Sequence, residues 1–359
     1  MSGRLPRRGA VVVLSTVLLG AALVAQEPPT FRGGTTLVEV SAIVTRDGVP
    51  VTDLRADEVR VLDEGVPQPL AAFAYVDLTT AEGSAQQRDF VLVIDDLHIA
   101  PRHTQAARRV AAQLIEALAP NDRLAIVNTG PHERVHQLTT DREPSRALLR
   151  RVHGQQGRGA GLPGEAEARA RIALTVLRNV ADVLAKEGAA GRRAVVVVSE
   201  GHPGFGEGVH VSRESLEAQL VREEYRQVLE AAAFANVSVY GIDPRGLTAD
   251  IPVIGTGGNR DAAVVAGQAA QVSAGAMLGR YFGTLGLLST STGGLLTVDT
   301  NDLGRNIPQM LRDSRQYYRL AYVQPDPPPG KTHPATRRIT VEVDRKGVDV
   351  RARQVYAPR

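Results

Sequence analysis

Apolar residues fall along this chain in two rhythms, and the middle of the chain shows them in alternation. Phe90-Val91-Leu92-Val93-Ile94, Ala194-Val195-Val196-Val197-Val198 and Val237 to Ile242 are short, unbroken and rich in β-branched residues. Runs of that kind belong to strands buried on both faces, as in the middle of a parallel sheet covered by helices. Between them the spacing changes to that of a helix: Ala107, Val110, Ala111, Leu114, Ile115 and Leu118 share one face, with Pro101 placed for a first turn and Pro120-Asn121-Asp122 as a stop. The pattern continues with strands at Leu124 to Val127 and Arg134 to Leu138, then a helix after Thr140-Asp141. Further helices follow over 165–187 and 212–235, and a strand over 295–298 after Gly293-Gly294. A last helix carries Leu303, Ile307, Met310 and Leu311. Strands alternating with helices predict an α/β domain over 88–323 built on a doubly wound, mostly parallel sheet.

Both ends of the chain change to period two. Leu37 to Val44, Glu58 to Leu62 and Ala72 to Val76 alternate as half-buried strands do, with turns at Asp47-Gly48 and Asp63-Glu64-Gly65. They predict a small accessory β module over 30–78, joined to the centre by the small, polar stretch 79–89. Tyr317 to Val323 reads as a strand before the stiff Pro325 to Pro329 segment. Ile339, Val341 and Val343 share one face, and so do Val348, Val350 and Ala352; with Asp344 to Gly347 as the turn they predict a C-terminal β-hairpin over 335–356. Two placements are open for it: completing the N-terminal module, or standing as a separate appendage.

The N-terminus points to export. Arg4, Arg7 and Arg8 precede an apolar run from Ala10 to Ala25, followed by Gln26-Glu27-Pro28-Pro29. That is the layout of a signal peptide over 1–26. As a helix the run would span about 24 Å, short of the ~30 Å hydrocarbon core, so cleavage is favoured over anchoring. Contact with a membrane is expected only through this segment, if it stays uncut. The chain has no cysteine, so an exported form must be held by its core, or by metal, and not by disulfides. A net charge of +3, almost all of it arginine and dispersed, offers no basic run interleaved with aromatics, which excludes nucleic acid as an expected partner.

Several motifs carry chemistry on paper. His132-Glu133-Arg134-Val135-His136 has the H-e-x-x-h spacing of zinc proteases, but breakers bracket it and it reads as a strand. There the two histidines would lie about 13 Å apart, too far to share an ion. Gly159 to Gly164 has G-x-g-x-x-g spacing but follows a helix and contains Pro163, so it lacks the strand a dinucleotide fingerprint requires. Ser199-Glu200-Gly201 lacks the leading glycine of a nucleophile elbow, and His98 and His103 have no nucleophile beside them. The expectation is therefore not an enzyme. What is left is a set of acids at strand ends, Asp95, Asp96 and Glu200, where open α/β sheets bind ligands. Acids on adjacent strands can hold a hard divalent cation through oxygen. The other reading has Asp96 and Glu200 facing water and Asp95 capping its loop.

The order of elements, with an acid closing the first central strand, resembles a von Willebrand factor A domain. More narrowly, Asp47 to Leu54, Val59 to Gly65, Phe90 to Asp96, Leu138 to Asp141, Tyr240 to Leu247, Thr292-Gly293-Gly294 and Tyr317 to Tyr322 are similar to the exported A-domain proteins of acidobacteria. That resemblance implies a protein-binding, adhesion-type module holding Mg2+ or another divalent cation, its protein ligand approaching the C-terminal face of the strands. The family pattern is D-x-s-x-s after the first strand, a threonine before the third helix and an aspartate after the fourth strand. Asp95 matches the first position and Glu200 stands for the last aspartate; Leu97 and Ile99 stand for the two serines, and 154–164 holds no serine or threonine. The implied site is thus degenerate, with Asp95, Asp96 and Glu200 as its candidate metal ligands. A metal-dependent hydrolase using the same loops, or a structural subunit of a cell-envelope complex, are the alternatives to an exported binding module.

Overall fold

The unbroken apolar runs all become neighbouring strands of one parallel sheet. The structure is a computed structural model and describes residues 36–80, 83, 86–130, 137–157, 164–187, 192–201, 216–247, 283–327, 332, 336–356 and 358. Its parallel strands are β6 (Asp89–Ile94), β7 (Arg123–Asn128), β8 (Arg193–Val198), β9 (Val237–Ile242) and β10 (Leu296–Thr297), in the order β10-β9-β8-β6-β7. The first strand of this series, β6, thus has the second on one side and the third on the other, which makes its carboxyl end the topological switch point. In register, Leu92 lies opposite Ile126 on β7 and Val196 on β8.

Period two then decides which helix each residue meets. Phe90, Leu92 and Ile94 point into a cluster with Val110, Leu114 and Ile115 of α1 (Thr104–Ala117) and Leu149 of α2 (Glu143–Leu149). Val91 and Val93 point the other way, to α3 (Glu165–Lys186) and α4 (Leu216–Phe234), with Leu285 and Leu288 of α5 (residues 283–291) beside them. The last helix, α6 (Ile307–Asp313), returns to the first face through Ile307 and Met310. Because Ile94 is fully buried between helix and sheet, Ile94→Val is expected to cost about 1 kcal/mol through one lost methylene. A urea titration checks this: an unchanged midpoint would mean the site closes without loss.

The remaining strands are antiparallel and form two sheets. One has the order β13-β1-β11-β5, from β1 (Leu37–Arg46), β5 (Leu70–Asp77), β11 (Gln316–Val323) and β13 (Asp349–Ala352), with β2 (Val49–Pro50) pairing β1 off the end. The other has the order β14-β12-β3-β4, from β3 (Val59–Asp63), β4 (Val66–Gln68), β12 (Arg337–Val343) and β14 (Val355–Tyr356). Val40, Val61, Tyr318, Leu320, Tyr322 and Ile339 share a single core between them. The two tight turns foreseen at Asp47-Gly48 and Glu64-Gly65 are present, with φ of 50° and 77° in the first and 50° and 79° in the second. Both central residues of such hairpin turns need positive φ, which the glycines adopt without strain.

Three expectations change. The 335–356 segment is not a hairpin: β12 pairs with β3 (Val341 opposite Val61), whereas β13 pairs with β1 (Val350 opposite Val44). The intervening residues cross from one sheet to the other, and Arg345 holds that corner through Asp53 and Glu58. The strand β11, which falls inside the expected 88–323 α/β span, sits between β1 and β5 in the antiparallel part, because its buried Tyr318 and Tyr322 face the antiparallel core. Leu303 precedes α6 instead of lying on it. All three sheets lie within one unit, Thr36–Arg359. The expected signal peptide over 1–26, most of the strand expected from Arg134 to Leu138, most of the glycine-rich loop and the start of the 212–235 helix lie outside the described residues. Among the described residues no helix is long and apolar enough to cross a membrane.

Candidate functional site

At the carboxyl end of β6 the backbone N–H of Asp95 still donates to Val198 of β8, so the carboxylate is delivered into the sheet edge and is 3% exposed. Thr129, the residue after β7, and Ser199, the residue after β8, reach it from either side. Both hydroxyls donate to Asp95, at 2.7 Å each. The Nδ1 of His98 lies 2.8 Å from the same carboxylate. An ionised carboxylate only accepts, so Nδ1 carries the proton of that bond. Burial pushes the Asp95 pKa up, but the charge interaction with His98 and the hydrogen bonds from His98, Ser199 and Thr129 outweigh it and hold the group at about 2.

Asp96 is held by a different set of donors. Its Oδ1 accepts the Gly130 N–H at 2.7 Å, and its Oδ2 accepts from the Gln155 side-chain amide at 2.7 Å. The Thr129 hydroxyl lies 3.3 Å from the same Oδ1 and so links the two acids. Here burial wins and raises the pKa, with the Asp95 charge adding to it against the bonds from Gly130, Gln155 and Thr129. Glu200, past the end of β8, accepts the Ala100 N–H at 2.5 Å and faces His103 Nδ1 at 2.7 Å. It therefore ties the loop after β8 to the loop that enters α1. Gly130 and Gly154 allow these loops to close, since a Cβ at Gly130 would meet Asp96 Oδ2 at 2.6 Å and one at Gly154 would meet the Ile99 carbonyl oxygen at 2.3 Å.

Asp95, Asp96 and Glu200 thus gather at one end of the sheet, but not around one centre. Both oxygens of Asp95 and both of Asp96 are engaged by internal donors. Among the described residues, no group of three or more histidines, aspartates or glutamates is placed to hold a metal ion. Ile99 is fully buried within the core on the α1 side, and Leu97 is buried as well. The positions where an adhesion site would carry hydroxyl ligands are filled with core. Among the described residues this donor set, with its aspartate oxygens already taken by internal donors, does not fit Mg2+ or another divalent cation. Sequence reasoning located the acids but missed Thr129, Ser199, Gln155 and the role of His98. The available signal was a hydroxyl immediately after each of two strands flanking an acid-terminated one.

No protein-family profile matches this chain. No curated protein matches it either. Among solved structures it is similar to the crystal structure of the SpRpn10 VWA domain, at 11% identity over 44% of this chain and 88% of that chain, with a TM-score of 0.23. The α/β architecture described above rests on this chain's own strand order and register, a parallel sheet flanked by helices on both faces.

Proposed function

We propose that this chain is an exported, non-enzymatic binding module of von Willebrand factor A type, which presents the loops at the carboxyl end of its parallel sheet to a protein partner. The observation that carries the reading is the closed network at the switch point. Asp95, Asp96 and Glu200 use their oxygens to fix four loops against one another. Such bracing suits a surface that must keep its shape on binding, because pre-ordering lowers what association must overcome. The outward side chains at this end include Arg102 and Leu247, the latter 59% exposed. Contact through these loops needs no resident ion.

The absence of cysteine makes the test clean, since a single introduced thiol is the only one present. Leu247→Cys places it on the proposed face, and Glu116→Cys, exposed at the far end of α1, places it at the opposite end of the sheet. A small sulfonated, photoactivatable maleimide added to intact cells is expected to label both variants, and illumination is expected to trap a protein from Leu247→Cys alone. Labelling only after lysis would remove export, and trapping from Glu116→Cys alone would remove the proposed face.

A further inference from the structure

Surface arginines of this chain are commonly answered by an acid close by in sequence: Arg55 meets Asp57, Arg169 meets Glu165 and Arg226 meets Glu223. One region departs from that habit. Leu97 to Ile115 and Pro144 to Gly157 contain no aspartate or glutamate, although the whole chain has 39 acids in 359 residues. The two stretches carry Arg102, Arg108, Arg109, Arg146, Arg150 and Arg151. The fold then lays one stretch along the other. Arg108 of α1 donates to the Val152 and Arg150 carbonyls, each at 2.9 Å, and the Gly154 N–H donates to Thr104 Oγ1 at 3.0 Å. The end of α2 thereby runs against the first turns of α1.

Of these arginines only Arg146 is neutralised, by Glu116 and Glu143. Arg102, Arg109, Arg150 and Arg151 are exposed, and among the described residues none of the four forms an ion pair. Arg108 lies between the two elements and bonds only to carbonyl oxygens and His153, so its charge is uncompensated as well. Arg102 and Arg109 are about two helical turns apart and stand in line, roughly 10 Å from one another. Helix energetics account for only part of this ridge. A cation at the end of α2 is favoured, but Arg102 stands at the start of α1, where the helix dipole disfavours one. Like charges gathered on one surface repel, and an acidic partner removes that cost. Neither stretch holds a Phe, Tyr or Trp or exposes a large apolar side chain. The ridge therefore lacks the anchors that a bilayer surface or stacked bases would use. What it offers is guanidinium forks, whose planar pairs of N–H groups match a carboxylate.

We infer that this ridge docks an acidic protein segment, an extended run of aspartates and glutamates whose carboxylates meet Arg102, Arg109, Arg150 and Arg151. The inference rests on the reading of the carboxyl end of the sheet as the partner-binding face, and names the chemistry the partner presents there. The ridge is joined to the braced loops of that face. Gln155, a few residues after Arg151, donates its backbone N–H to the Asp96 carbonyl at 2.7 Å, and its side-chain amide holds the Asp96 carboxylate. Exposed charge pairs of this kind steer encounter and fix register more than they add affinity, so the complex should be sensitive to salt.

The probe is a fluorescein-labelled octaglutamate peptide, followed by anisotropy as the full chain is added at low ionic strength. Saturable binding is expected, weakening as salt is raised, with none to a labelled octaglutamine. Arg102→Glu combined with Arg151→Glu should weaken it roughly tenfold or more, since two exposed pairs are each worth a factor of a few and are replaced by repulsion. Arg109→Glu with Arg150→Glu is a second, independent pair with the same expectation. Arg46→Glu with Arg319→Glu, exposed in the antiparallel part, makes the same change in net charge and should leave binding as it was. Vesicles containing phosphatidylserine should not pull the chain down. The inference is overturned by absence of saturable binding, by an equal loss in the Arg46/Arg319 control, or by vesicle binding stronger than peptide binding, which would assign the ridge to a membrane surface. If Leu247→Cys traps a protein but octaglutamate does not bind, this inference falls and the face stands. If octaglutamate binds at the ridge but Leu247→Cys traps nothing, the acid-binding ridge stands and the trapping face falls.

Discussion

Asp95→Ala is expected to lower the free energy of unfolding by about 3–5 kcal/mol, the usual cost of removing one member of a buried, hydrogen-bonded charge pair. The variant strands three donors at once, since His98, Thr129 and Ser199 all converge on this carboxylate. Asp95→Asn should cost less, because the amide oxygen can still accept from one hydroxyl while the charge interaction with His98 is lost. Urea titrations of the two variants against the wild type give the order directly. Repeating them with millimolar Mg2+ and with a chelator adds a second reading. Neither addition is expected to move the wild-type midpoint, and a Mg2+-dependent rise that Asp95→Ala abolishes would restore a metal site.

The same carboxylate sets an acid limb. Its folded pKa of about 2 lies below the ordinary 3.8, so its contribution is fully present above pH 3.8 and is lost as pH falls through about 2. The difference corresponds to about 2 kcal/mol. Asp96 works in the opposite sense: its folded pKa is raised, so its proton is favoured in the folded state, and that contribution fades as pH rises through the raised value. Stability should therefore drop between pH 4 and pH 2 in the wild type, and drop less in Asp95→Asn.

Asp63→Ala is expected to cost a similar amount, about 3–5 kcal/mol, in the antiparallel part of the molecule. Asp63 is fully buried at the end of β3. It accepts from Arg337 Nε at 2.7 Å, Tyr356 Oη at 2.7 Å and Tyr322 Oη at 3.0 Å, which come from β12, β14 and β11. Both tyrosines are pushed well above their ordinary pKa, by burial first, with the Asp63 carboxylate adding to it, so they remain donors at any accessible pH. One side chain thereby pins both antiparallel sheets. Adding Tyr322→Phe and Tyr356→Phe to Asp63→Ala removes the stranded hydroxyls and should recover part of the loss. Strict additivity of the three changes in thermal unfolding would mean that the hub is not a unit.

Much of this architecture was legible in the sequence, for a physical reason. Unbroken apolar runs such as Val195 to Val198 are tolerated only where both faces are covered, so they announce the parallel sheet and place Asp95 and Glu200 at its carboxyl end. Asp47-Gly48 announces its turn because few residues accept positive φ. Partners are another matter. Period two tells which face of β12 or β13 is buried, but not which strand lies alongside, and a turn sequence between them looked like a hairpin although each joins a different sheet. The site was half legible for a related reason. The acids stand out by type, whereas Thr129, Ser199 and Gln155 acquire their role only when three separate loops meet.

The interleaving of the two ends of the chain bears on the order of events during synthesis. Leu37 of β1 pairs with Val323 of β11, and Val61 of β3 with Val341 of β12. Pairings so distant along the chain carry a large loop-closure cost and form late. A chain emerging N-terminus first would carry β1 and β3 as open edges, able to pair with a neighbouring nascent chain, until its last strands appear. The parallel sheet, whose strands all lie between them in sequence, can assemble while that wait lasts. Loss of the C-terminal strands, by an early stop or a protease, would then yield a folded α/β centre flanked by an adhesive, unfinished β-sheet, the kind of product that quality control removes.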